Sequence, residues 1–207
     1  MLTIKEITID KLKSGKLKKD FPEFYELKRV IENNPWHNNE STFTHTLNVL
    51  KDLEKFLRNN KNTKLKKYLN QSVDGYKRKD LLFLATVFHD LGKKETIIKN
   101  GKLSSFPEHE KISILKSKNI LKDFDLSKKE REIVLGIIKY HSDLHSIVDE
   151  DNENLKKQFD KLMKSSKDFF AELIIMVMAD TAGSYLKKTA PARYDFRMNF
   201  YKEALKK

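Results

Sequence analysis

Apolar residues fall at helical spacing along most of the chain. Ser41 or Thr42 can cap a helix whose one face carries Phe43, Leu47, Leu50, Leu53 and Leu57. Asp80 can cap a second, almost wholly apolar helix that runs from Leu81 to Phe88 and stops at His89-Asp90. Ser127-Lys128-Lys129-Glu130 has the spacing of a capping box and opens a helix with Ile133, Val134, Ile137 and Ile138. Asp168 can cap a further helix with Phe169, Leu173, Ile174, Val177 and Met178. Pro191 suits the first turn of a last helix with Phe196, Phe200 and Leu205. One stretch breaks the pattern. Asn100-Gly101 sits between two short extended runs, near residues 96–105, and predicts a tight hairpin. Pro107 then starts another helix, which carries His109. The fold class expected is all-α, a compact helical bundle interrupted by one small hairpin.

Composition narrows the chemistry. The 207 residues include no cysteine, so disulfides, thiolate metal sites and cysteine nucleophiles are excluded. The longest apolar runs, 81–88 and 173–179, are far shorter than the roughly 20 residues a membrane helix needs. The N-terminus has no signal-peptide pattern, so a cytoplasmic protein without a membrane partner is expected. The net charge is +12, from 42 Lys plus Arg against 30 Asp plus Glu. That excess attracts polyanions such as nucleic acid and nucleotides. Only six of the basic residues are arginine, the residue best suited to bidentate phosphate and base contacts, so much of the excess reads as solvated surface lysine.

An imidazole and a carboxylate side by side at the end of a buried helix have no packing rationale. A metal ion supplies one, since it takes a neutral nitrogen and an anionic oxygen on a rigid element. Six histidines occur, and His45, His89, His109 and His141 fall on four separate predicted helices. Asp180 ends the run Leu173 to Ala179, where a carboxylate needs a metal or basic partner. Ser142-Asp143 can end the helix of His141, which would leave His145 at a rim or on the surface. His37 reads as a structural contact or part of an entrance. Glu108 and Glu110 can orient His109 or simply favour a helix N-terminus.

The order His45, then His89-Asp90-Leu91-Gly92-Lys93, then Asp180 resembles the HD superfamily of metal-dependent phosphohydrolases over roughly residues 36–185. Within it, Pro35-Trp36-His37-Asn38 before Thr44-His45-Thr46, and Phe106-Pro107-Glu108-His109-Glu110 after the hairpin, resemble the HD domain of bacterial CCA-adding tRNA nucleotidyltransferases. Too little sequence precedes this region for a nucleotidyltransferase head, so a free-standing HD domain is the expectation and the polymerising activity is not carried over. The resemblance implies a single HD domain over residues 1–207, with 1–34 as an N-terminal extension, 35–190 as the core and 191–207 as a C-terminal helix. It implies that His45, His89, Asp90 and Asp180 ligate one divalent metal (magnesium, manganese, nickel, cobalt or iron), with His109 and His141 available to a second ion or to substrate. Asp90, Lys93 and His109 are the catalytic candidates. Lys93, His109, His141 and Arg193 are the substrate-binding candidates, with Arg197 a further phosphate candidate. Lys93 can instead interact with the preceding helix C-terminus, and the two arginines can instead pair with Asp195 or Glu203.

The activity implied is hydrolysis, by metal-activated water, of a phosphomonoester or phosphodiester of a nucleotide or RNA end. The related domain's classes are phosphatase, 2′-nucleotidase and 2′,3′-cyclic phosphodiesterase. The alternative is a non-catalytic RNA- or nucleotide-binding module with a structural metal. A (p)ppGpp or deoxynucleoside triphosphate hydrolase fits the short chain less well. A cyclic-di-GMP enzyme fits least, because no GYP-type extension or paired His-His element is visible at His141-Ser142.

Overall fold

In a computed structural model, residues 2–206 are described. After a short 3-10 turn, α1 (Ile9–Ser14) and α2 (Pro22–Glu26) lead into a hairpin of β1 (Ile31–Asn34) and β2 (His37–Ser41). Two helices follow, α3 (Thr42–Asn59) and α4 (Thr63–Leu69). Next come α5 (Arg78–Phe88) and the single turn α6 (Lys93–Thr96). A second hairpin, β3 (Ile98–Asn100) with β4 (Leu103–Ser105), separates α6 from α7 (His109–Ile120). The chain closes with α8 (Lys128–Ile147), α9 (Leu155–Ser165), α10 (Phe170–Gly183), α11 (Leu186–Thr189) and α12 (Pro191–Ala204). The fold is the expected all-α bundle, with two small antiparallel hairpins among the described residues.

The core forms around α10, whose residues Leu173 to Ala179 are all buried. A helix apolar on every side belongs at the centre of a bundle, and α10 packs against α3, α5, α8 and α12. Ser41 caps α3, its hydroxyl accepting from the Thr44 amide at 3.2 Å. Phe43, Leu47, Leu50 and Leu53 of α3 are buried, while Leu57 is half-buried. Ser127 and Glu130 cap each other reciprocally at the start of α8. The hairpin at 98–105 turns through Gly101 at φ +59, where glycine avoids the Cβ clash of the left-handed region. Residues before 34 contribute fully buried Leu12, Phe21, Phe24 and Leu27, so this segment is part of the core.

Several local expectations are corrected. Asp80 is the third residue of α5 rather than its cap; its carboxylate accepts from the Lys77 amide at 3.2 Å. Asp168 does not cap α10, which starts after Phe169; its carbonyl instead accepts from Arg78. Pro107 lies two residues before α7, whose first residue is His109. Helix α8 continues through Ser142-Asp143 to Ile147, because Leu144 and His145 pack inward and outweigh the weak helix propensity of those two residues. The β1–β2 hairpin was not foreseen, since Ile-Glu-Asn-Asn and His-Asn-Asn-Glu-Ser carry no apolar alternation. It is held through β1 to β4: the Asn33 amide donates to Ser104 Oγ at 2.7 Å.

Candidate metal centre

Five elements converge at one end of the bundle. Helix α3 brings His45, the end of α5 and the turn after it bring His89 and Asp90, the first residue of α7 is His109, α8 brings His141 and His145, and α10 brings Asp180. His45, His89, Asp90 and His141 are all buried, at 0–2 % exposure.

Three imidazoles are pinned by backbone carbonyls. His89 donates Nδ1–H to Thr86 O at 2.8 Å, His109 to Phe106 O at 2.9 Å and His141 to Ile138 O at 2.6 Å. A carbonyl can only accept, so each Nδ1 carries a proton and each Nε2 faces inward as a candidate ligand atom. The Nε2 atoms of His109 and His141 lie 3.1 Å apart. Two neutral rings would oppose lone pairs there, and a proton or a cation relieves that. The Nε2 of His89 is buried with no hydrogen-bond partner, although Asp90 Oδ2 lies 3.1 Å away.

The donor atoms fall into three groups: His37, Glu40 and His45 form one, and the other two are sets joined by Asp90. His45, His89 and Asp90 form the first of these sets, and Asp90, His109 and His141 the second; within each, the ligand atoms lie within 4.8 Å of one another. Asp180 belongs beside the first set, with Oδ1 2.7 Å from His45 Nε2 and 4.0 Å from His89 Nε2. His109 Nε2 is 3.1 Å and His141 Nε2 3.8 Å from Asp90 Oδ1. These nitrogen and carboxylate donors could hold a divalent cation, and Asp90 is common to both sets.

The electrostatics suit a cation. Burial raises the Asp90 and Asp180 carboxyls, but their basic neighbours hold both well below the usual carboxylate range: His89 and Lys93 for Asp90, His145 and His45 for Asp180. Burial opposes charge on His45, yet the hydrogen bond and charge of Asp180 raise it to about 9. His89 is also raised against its burial, chiefly by Asp90. Burial and the neighbouring His109 push His141 well down, towards the neutral ligand form.

The cluster opens on a cavity of about 350 Å³ whose wall includes Trp36, Ser142, His145, Asp149 and Arg197. His145 corrects the rim expectation. It is half-buried, and its Nε2–H donates to Asp180 Oδ2 at 2.7 Å. Its i, i+4 spacing from His141 was the available signal. Arg193 does not line this cavity; its guanidinium pairs with Asp149, Glu150 and Asp151 rather than with Asp195 or Glu203. Arg197 lies 4.6 Å over the Trp36 ring and donates to His145 O and to Asp149. Lys93 reaches the cavity, but its ammonium is held between Asp90 Oδ2 at 2.8 Å and Glu32 Oε2 at 2.9 Å. His37 is buried beside His45 and donates Nδ1–H to Glu40 at 3.0 Å. Nothing in the sequence pattern pointed to Glu32 or Glu40.

A family model described as HD domain matches residues 42–180, from the first residue of α3 to Asp180. The chain belongs to the HD domain family. That family lies in the superfamily of metal-dependent phosphohydrolases, and this chain has His/Asp clusters that could hold a metal ion. The chain is also 29% identical over 196 residues to a multifunctional CCA protein of Mannheimia succiniciproducens, covering 94% of this chain and 43% of that protein. It is 26% identical over 194 residues to a multifunctional CCA protein of Pasteurella multocida, covering 92% and 42%. The chain thus spans less than half the length of these curated relatives. Among the described residues, no helix is long and apolar enough to cross a membrane.

Proposed function

We propose that this protein hydrolyses a phosphomonoester or phosphodiester of a nucleotide or RNA end, using one or two divalent cations. The observation that carries the reading is Asp90, common to two sets of histidine donors in which His89, His109 and His141 have their outer nitrogens tied to carbonyls. His45, His89, Asp90 and Asp180 would hold the first cation, and Asp90, His109 and His141 the second. Such a cation lowers the pKa of a coordinated water and polarises a phosphoryl oxygen. With a single cation bound, His109, half-buried at the mouth of the second set, could face a phosphate oxygen instead of a second ion. Lys93 adds a buried ammonium beside Asp90, placed to offset negative charge developing on phosphate. The likeness to two multifunctional CCA proteins favours a nucleotide or nucleic acid as the substrate class.

The test is turnover of a panel of nucleotide 2′-, 3′- and cyclic phosphates with magnesium, manganese, nickel or cobalt, beside elemental analysis of the purified protein. Wild type should turn over at least one, and Asp90→Asn should lose that activity while keeping its fold by circular dichroism. Full metal occupancy with no turnover of any phosphoester refutes the reading. Salt-dependent RNA binding that survived Asp90→Asn would then favour a binding module.

A further inference from the structure

Glu32 is a fully buried carboxylate on a strand that the metal-bearing helices do not include. Its neighbour Ile31 is exposed, and the register of β1 against β2 shifts between Glu32 and Asn33. The hairpin therefore turns a charged side chain inward and leaves an isoleucine in water, the reverse of what burial favours. Glu32 Oε2 meets Lys93 Nζ at 2.9 Å and His37 Nε2 at 3.3 Å, and Oε1 has no hydrogen-bond partner. A buried carboxylate with one oxygen left unpartnered is costly, so its retention calls for a reason.

Lys93 supplies that reason. Its ammonium lies 2.8 Å from Asp90 Oδ2, an oxygen of the carboxylate that both donor sets share. A fixed positive charge at that position repels a divalent cation and occupies one of its ligand atoms. With Glu32 present, the three charges of Glu32, Lys93 and Asp90 sum to one negative. Without it they sum to zero, and Lys93 has only Asp90 to pair with.

We propose that Glu32 is a positioning residue of the metal centre, sharing the Lys93 ammonium with Asp90 so that Asp90 does not neutralise it alone and keeps negative charge for a cation, while the ammonium stays at the cavity wall. Glu32 touches neither substrate nor metal and acts through Lys93. The role rests on the metal-centre part of the function proposed above and not on turnover.

The experiment is calorimetric titration of manganese into wild type, Glu32→Gln, Lys93→Met and the double variant, with circular dichroism to check the fold. Glu32→Gln keeps the side chain's size and should weaken manganese binding about 10–100-fold, the usual scale for outer-shell partners. Adding Lys93→Met should return affinity to near the wild-type value, because the competing ammonium is gone. A merely structural role for Glu32 does not predict that rescue. Wild-type affinity in Glu32→Gln, or a double variant as weak as the single one, overturns the proposal. If Glu32→Gln does not fold, Lys93→Met decides alone: affinity at or above wild type supports the role, and weaker binding overturns it. A wild-type protein that binds no manganese overturns the metal centre and this role together. Normal binding without turnover of any phosphoester overturns only the hydrolase reading.

Discussion

Gly92 joins the Asp90 turn to α7 through a contact that has no room for a side chain. Its φ of −82° suits any residue, so backbone freedom is not the issue. A Cβ built there would lie 2.1 Å from His109 O, 2.7 Å from Ser113 N and 2.8 Å from Ile112 Cβ. The first distance falls short of ordinary contact, 3.4 Å, by about 1.3 Å. Two of the three atoms are backbone, so no side chain can swing aside to relieve the overlap. In Gly92→Ala, α7 must retreat by about 1 Å or the turn carrying Asp90 must bend. Either movement strains the bond from Gly92 N–H to Ser113 Oγ, 2.9 Å, and separates His109 Nε2 from Asp90 Oδ1, 3.1 Å. Overpacking of this kind costs about 1–3 kcal/mol, and more where backbone is struck. At about 2–4 °C per kcal/mol for a chain of this size, the unfolding midpoint should fall by about 2–12 °C. The assay is thermal unfolding by circular dichroism, with metal content measured on the same samples. The set containing His109 should lose its ion first. Gly101→Ala is the control: nothing lies within 4 Å of its Cβ, and only the left-handed φ of +59° costs, about 1 kcal/mol. If Gly92→Ala melts within about 2 °C of wild type with unchanged metal content, the close-approach argument is wrong.

In the metal-free protein, the raised pKa values of His45 (to about 9) and His89 stabilise the fold fully below about 6.5, a contribution lost as pH rises towards 9. Burial depresses His37, His141 and His145, so their contribution is present above about 6.5 and lost as pH falls. The melting temperature without metal should therefore peak near pH 6.5. The alkaline decline is of the order of 3 kcal/mol from His45, and a flat alkaline limb in a chelator-treated sample would refute it. Adding manganese or nickel at a fixed concentration about 100 times its Kd at pH 8 should stabilise the protein by about 2.7 kcal/mol there and by less at pH 6, since the cation must displace the His45 proton; a differential scanning fluorimetry series checks both. Away from the site, Arg78 pairs with fully buried Glu172 at 2.7 Å and also donates to Tyr68. Arg78→Ala strands that carboxylate and should cost about 3–5 kcal/mol in urea unfolding, with Glu172→Gln in the same chain recovering part of the loss.

Much of this protein follows from local pattern alone. The apolar face of α3, the capping box of α8 and the hairpin at 98–105 are set by residues within a few positions of each other, and each appears in the structure, although the hairpin turns at Gly101-Lys102 with Asn100 as the last residue of β3. His89 and Asp90 are adjacent in sequence, so no folding step is needed to bring them together, and a buried imidazole and carboxylate announce a cation by their chemistry. The other members depend on helix packing. His45 and Asp180 meet at 2.7 Å across 135 residues only because α3 packs along α10. His109 and His141 approach to 3.1 Å because α7 lies on α8. His145 sits in a helix that its own sequence, Ser142-Asp143, does little to sustain, and its partner Asp180 is on another helix. The β1–β2 hairpin and Glu32 were illegible for a different reason. A polar strand carries no two-residue alternation, and burial of a carboxylate is decided by an ammonium 61 residues away. Local propensity and side-chain chemistry thus determined the elements and the central His-Asp pair. The distances that make a cation site, and the charges that balance it, were decided by packing between helices far apart in the chain, because Coulomb and ligand geometry depend on separations in space that no spacing in sequence specifies.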